Sequence, residues 1–196
     1  MAELRVVRSE LILGGQKSGK TARAESLAAA WLGQSPQHRA VYIATARAWD
    51  QEMRERIARH QRRRVERVPR METVEEPLEL AHAIGEHSRA DTLIVVDCLT
   101  LWLTALLMPA VPMPPPGSAE ETGAAPATPG IATALRASAG PIVLVSNEIG
   151  LGVIPLGQEV RAFVDALGCV NQEAAAACER VTLMSAGLPL MLKGSA

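Results

Sequence analysis

Aromatic residues are scarce: three Trp, one Tyr and one Phe in 196 residues. That is too few for the base-stacking platforms with which proteins hold single-stranded nucleic acid. Lysine is nearly missing, with Lys17, Lys20 and Lys193 set against 17 arginines. The formal net charge is -1, so no global field draws the chain to nucleic acid or to an anionic membrane. Cysteine is limited to Cys98, Cys169 and Cys178, an odd number, far apart and without metal-ligand spacing. A disulfide framework is excluded, and the pattern fits buried thiols in a reducing cytoplasm. Long apolar runs are absent too. MAELRVVRSE at the N-terminus lacks the continuous apolar core of a signal peptide. The most apolar segment, 99–111, is broken by threonines and Pro109, short of the ~18 residues of a membrane span. The expectation is a cytoplasmic chain with no membrane span and no nucleic-acid partner.

What is present begins with hydrophobic residues at 48%, enough for one domain with a sizeable core. Gly14-Gly15-Gln16-Lys17-Ser18-Gly19-Lys20-Thr21 fits G-x-x-x-x-G-K-[ST], the phosphate-binding loop of P-loop nucleotidases. Its context is right. Leu11 to Leu13 reads as a buried strand and Thr21 to Leu32 as a helix. Glycines let backbone N–H groups converge on phosphate oxygens, and the helix N-terminus adds partial positive charge. Lys20 can reach the β- and γ-phosphates, and the Thr21 hydroxyl can bind Mg²⁺.

Further strands are expected at Ala40–Thr45, Thr92–Asp97 and Pro141–Ser146, and Met71–Glu75 reads as extended. Helices are expected from Trp49 to about Val65, from Pro77 to about His87 and over Leu99–Leu107. Two more are expected, from Gln158 to Leu167 and from Asn171 to Cys178. Val181–Ser185 and Leu188–Leu192 flank Ala186-Gly187 as a closing hairpin. Strands alternating with helices give an α/β fold with a mainly parallel sheet. Residues 109–130 are rich in Pro, Ala and Gly and lack apolar periodicity. They read as a flexible excursion within a single domain spanning 1–196.

Asp97 ends the most apolar strand, where a carboxylate can hold Mg²⁺ opposite Thr21. An ordinary helix-capping Asp is the bland alternative. His60 shares a helical face with Trp49, Met53, Ile57 and Arg64 and is surrounded in sequence by arginines. Such a cluster suits phosphate, and a histidine within it stays neutral and nucleophilic more readily. A solvated basic helix with one histidine at its edge explains the same spacing. Glu148, after another strand, can orient or deprotonate a hydroxyl, or merely cap a turn. His38, His82 and His87 read as surface residues.

In order along the chain stand ILGGQKSGKTARAE (12–25), VYIATA (41–46), DQEMRERIARH (50–60), TVEEP (73–77), VVDCLTLWLT (95–104), VSNEIGLGVIP (145–155) and VNQEAAAACERVTLMSAGLPLMLK (170–193). The series resembles the bifunctional adenosylcobinamide kinase / adenosylcobinamide-phosphate guanylyltransferase family of cobalamin assembly. The resemblance implies a RecA-like P-loop fold, a homotrimer and use of GTP, ATP and Mg²⁺. It implies two reactions, phosphorylation of adenosylcobinamide and transfer of GMP to its phosphate through a histidine adduct. By resemblance that histidine is His60, and Lys20 serves catalysis. Nucleotide contacts are implied for the loop 14–21, for Ala46, Arg47 and Ala48, and for Gln61, Arg62, Arg63 and Arg64. They are also implied for Glu75 or Glu76 and for Thr100 within VVDCLTLWLT. Thr21 and Asp97 are the implied metal ligands. Lys17, Met71, Ala105 and Val164 depart from the family pattern.

Overall fold

The structure is a computed structural model and describes residues 4–48, 50–108 and 130–194. Most of the excursion therefore lies outside the described residues. Seven strands form one sheet: β1 (Ser9–Gly14), β2 (Arg39–Ala44), β3 (Met71–Glu75), β4 (Thr92–Asp97), β5 (Ile142–Val145), β6 (Arg180–Ser185) and β7 (Leu188–Lys193). Their order is β3-β2-β4-β5-β1-β6-β7, parallel except for the antiparallel β6–β7 pair. Among the described residues six helices accompany them: α1 (Lys20–Gln34), α2 (Gln51–Arg67), α3 (Leu80–His87), α4 (Leu99–Leu107), α5 (Ile131–Ala137) and α6 (Gln158–Ala177). This is the P-loop nucleotidase architecture with a C-terminal hairpin.

The central strands are apolar on both faces because both faces are covered. Leu11, Leu13, Ile94, Val96 and Leu144 pack toward helices that include α4 and α6. Ile12, Val95 and Val143 pack with Leu27 and Leu32 of α1. At the other end of β1 from the glycine loop, Glu10 is 1% exposed. It accepts from Arg23 at 2.8 Å, Thr182 at 2.8 Å and Arg180 at 3.3 Å. Those bonds hold α1 and β6 against β1.

Several elements differ from expectation. α6 is one continuous helix, not two. A mid-helix Gly168 costs about 1 kcal/mol, but Leu167, Val170 and Ala174 are buried on either side of it and hold the turn closed. α3 begins at Leu80, three residues after Pro77, because Glu76 Oε1 accepts from the N–H groups of Leu78 and Glu79 and folds 76–79 into a turn. α5 was not expected. It forms because Ile131, Ala132 and Leu135 are buried together. α2 starts at Gln51 with Asp50 as its cap, whose Oδ1 accepts from Met53 N–H at 2.7 Å. Trp49 lies outside the described residues.

Candidate active site

The chemistry gathers at the C-terminal ends of β1, β2 and β4. Gly14 and Gly19 stand at φ 152° and 103°, conformations glycine reaches without strain. A Cβ on Gly14 would meet Met184 O at 2.5 Å and Ser18 Oγ at 2.6 Å. The hairpin therefore buttresses the loop, and Gly187 N–H donates to Ser18 O at 3.0 Å. Gly15, Gln16 and Lys17 are exposed along the rim, whereas Ser18 is buried. Lys20 is buried, and its ammonium donates to Gly14 O at 2.9 Å and to Gly15 O. Lost hydration lowers its pKa, while the charge of Asp97 acts the other way.

Thr21 and Asp97 meet. Thr21 Oγ1 donates to Asp97 Oδ2 at 2.8 Å, and the Tyr42 hydroxyl donates to the same oxygen at 2.7 Å. Burial first, and then the Asp97 charge, push the Tyr42 phenol well above its ordinary value, so it remains a donor. A carboxylate and a hydroxyl at the mouth of a phosphate loop are hard oxygen donors. Among the described residues no cluster of three or more His, Cys, Asp or Glu could cage a metal. Two protein oxygens with the remaining positions left to water and phosphate suit Mg²⁺.

His60 is exposed at the edge of α2. Even so, protein crowds the ring enough that lost hydration is the largest cause of its lowered pKa. The next cause, opposing it, is the negative charge of Asp97, and the Glu25 charge also reaches it. The ring thus feels the charge of Asp97, the carboxylate bonded to Thr21 and Tyr42. Arg56 and Arg63 favour the neutral imidazole.

The remaining expected residues divide. Gln61 Nε2 donates to Glu75 Oε1 at 3.3 Å, joining two segments distant in sequence. Glu76 is taken up in capping the turn before α3. Ala46 and Arg47 are half-buried and Ala48 exposed in the segment after β2. Arg62 and Arg63 are exposed. Arg64 is buried, stacks 3.8 Å from the Tyr42 ring centre and donates to Thr73 Oγ1 at 3.0 Å. Thr100 Oγ1 accepts from Asn147 N–H and Nδ2, fastening the start of α4 to the loop after β5. Glu148 Oε1 accepts from Gly150 N–H at 3.0 Å, the turn-capping role, while its own N–H donates to Gly14 O. His38 is not a plain surface residue. It is half-buried and stacked on Trp31 with centroids 3.8 Å apart.

Residues 10–192 match the family described as cobinamide kinase / cobinamide phosphate guanyltransferase. The chain belongs to that family. It is 46% identical over 186 residues to the bifunctional adenosylcobalamin biosynthesis protein CobP of Pseudomonas aeruginosa, covering 94% of this chain and 97% of the relative. It is 32% identical over 187 residues to the bifunctional adenosylcobalamin biosynthesis protein CobU of Escherichia coli, covering 93% and 98%. The CobU of Salmonella typhimurium is equally similar at 32%. The family's two activities both use a nucleotide, which accords with the single glycine loop at the end of β1.

Tyr42 and Thr45 escaped sequence reading. Thr45 Oγ1 donates to Cys98 O at 2.7 Å and accepts from Cys98 N–H at 2.8 Å, locking β2 to the residue after Asp97. The one signal for Tyr42 was its being the sole tyrosine, on an otherwise aliphatic strand.

Proposed function

We propose that this chain performs both family reactions, phosphorylating adenosylcobinamide with ATP or GTP and then transferring GMP from GTP to the product. In the first reaction the aminopropanol hydroxyl attacks the γ-phosphorus, its proton is lost, and the nucleoside diphosphate leaves. In the second, a neutral His60 nitrogen attacks the α-phosphorus of GTP and pyrophosphate departs. An oxygen of the cobinamide phosphate then displaces the imidazole, giving adenosylcobinamide-GDP.

The loop 14–21 holds the phosphates through its N–H groups and Lys20. Thr21 and Asp97 would hold Mg²⁺, which supplies charge neutralisation at the phosphates. Gln61, the residue after His60 on α2, and Glu75 at the end of β3, already bonded to each other, serve as contacts for the guanine nucleotide. Arg62 and Arg63 extend positive charge past His60. Ala46 to Ala48 line the end of β2, and Thr100 fixes the floor. The observation that carries the reading is the meeting of Thr21 Oγ1 and Asp97 Oδ2, 2.8 Å apart, beside the Lys20 ammonium at the mouth of the glycine loop.

Self-association as a homotrimer belongs to the same proposal. It is supported by Leu188, Leu190 and Leu192, which are 70%, 58% and 56% exposed on the edge strand β7.

Incubation with α-labelled GTP and Mg²⁺ should leave acid-labile label on the protein, and His60→Asn should abolish it. Label persisting in that variant overturns the assignment. Lys20→Ala should slow both reactions, on the order of a hundred- to a thousand-fold.

A further inference from the structure

Two centres have to be placed relative to each other in this molecule: the acid Asp97 and the imidazole of His60. One side chain touches the supports of both. Tyr42 is 4% exposed, with its hydroxyl 2.7 Å from Asp97 Oδ2. Since Thr21 Oγ1 donates to that same oxygen, the carboxylate is pinned from β2 and from α1 at once. Over the Tyr42 ring lies the guanidinium of Arg64, 3.8 Å from the ring centre. Arg64 is the single buried residue of α2, and it follows His60 by one helical turn. The helix that carries His60 thus seats its only buried side chain on the ring whose hydroxyl orients Asp97.

We propose that Tyr42 is a positioning residue for both reactions, aiming Asp97 through its hydroxyl and seating the His60 helix through its ring. The proposal rests on the reading of Asp97 as metal acid and His60 as nucleophile. Groups that hydrogen-bond a ligating carboxylate fix its direction, and removing one typically weakens metal binding 10- to 100-fold. Nucleophilic attack is equally demanding, because a 1 Å displacement of the reacting group costs on the order of a hundredfold in rate. A planar ring with a terminal hydroxyl meets both needs. Its face stacks on a guanidinium and its tip donates to a carboxylate. Phenylalanine would keep the first contact and lose the second.

The test compares Tyr42→Phe with Arg64→Met in the full chain. Mn²⁺ affinity of the GTP-loaded protein is read by electron paramagnetic resonance, and His60 adduct formation is followed at limiting and saturating metal. Tyr42→Phe should weaken Mn²⁺ binding roughly 10-fold, and excess metal should recover adduct formation. Arg64→Met should keep wild-type Mn²⁺ affinity and slow adduct formation roughly 10- to 100-fold, without recovery by metal. Arg64→Lys, which keeps the charge and loses the flat stack, serves if the methionine variant does not fold. Unchanged Mn²⁺ affinity in Tyr42→Phe overturns the role of the hydroxyl. Wild-type adduct formation in the Arg64 variant overturns the role of the ring. If the wild-type chain forms no adduct at all, the nucleophile reading fails and the ring's role falls with it, while the Mn²⁺ comparison still decides the hydroxyl.

Discussion

Arg67 of α2 pairs with Glu25 of α1, its Nη1 donating to Oε2 at 2.9 Å. The carboxylate is buried, with a side chain 5% exposed, whereas the arginine is 55% exposed. Removing Arg67 would strand a buried charge. Arg67→Ala should destabilise the fold by about 1–2 kcal/mol, below the usual cost of a lost charged hydrogen bond because water can partly replace an exposed donor. The urea midpoint measures it. The same variant should slow His60 adduct formation, since the contact docks α2 on the helix that follows the glycine loop. A midpoint equal to the wild type would mean that α2 is held without this pair.

Gly14 stands between the glycine loop and the hairpin. An alanine there would drive its Cβ against a backbone oxygen of β6, which cannot swing away as a side chain could. Strain of this kind costs roughly 1–3 kcal/mol. Gly14→Ala should lower the melting temperature and weaken GTP binding together, whereas Gly15→Ala, with open space around its Cβ position, should leave the melting temperature near wild type. Equal melting temperatures for the two variants would show that β6 yields.

Most of the sheet could be read in advance because parallel strands buried on both faces are short continuous apolar runs, as in Thr92–Asp97 and Pro141–Ser146. The glycine loop was legible because its chemistry is local, eight consecutive residues with a strand before and a helix after. The links that assemble the site are not local. Tyr42 and Asp97 are 55 positions apart, and Arg67 and Glu25 are 42 apart. No spacing records such pairs. The sequence alone reads α6 as two helices, and only the burial of Leu167 and Val170 on either side of Gly168 shows why it is one. The role proposed for His60 comes from family resemblance. Its spacing also fitted a solvated helix edge, and by exposure it does sit at that edge. Its coupling to Asp97 emerges only from the folded arrangement.

The C-terminal hairpin exposes an apolar strand. Every residue of β7 is exposed, and four of the six are Leu or Met. An unpaired apolar edge strand invites another chain. Leu190→Lys should therefore shift the chain toward monomer in sedimentation velocity while leaving the far-ultraviolet circular dichroism intact. Sedimentation unchanged by the lysine would place any self-association elsewhere.

The imidazole of His60 must be neutral to attack phosphorus, so its titration should govern adduct formation. Lost hydration lowers its pKa from the ordinary 6.5, with Asp97 opposing and Arg56 assisting. A lowered value means the ring stays unprotonated as pH falls past 6.5. The single-turnover rate of adduct formation at saturating GTP should be flat above that pH and decline only below it. Arg56→Gln removes a charge that disfavours the imidazolium, so the decline should begin at higher pH in that variant. A wild-type midpoint above 6.5 would mean that Asp97 outweighs both the crowding and the arginines, and an Arg56→Gln profile superimposable on the wild type would remove Arg56 from the account.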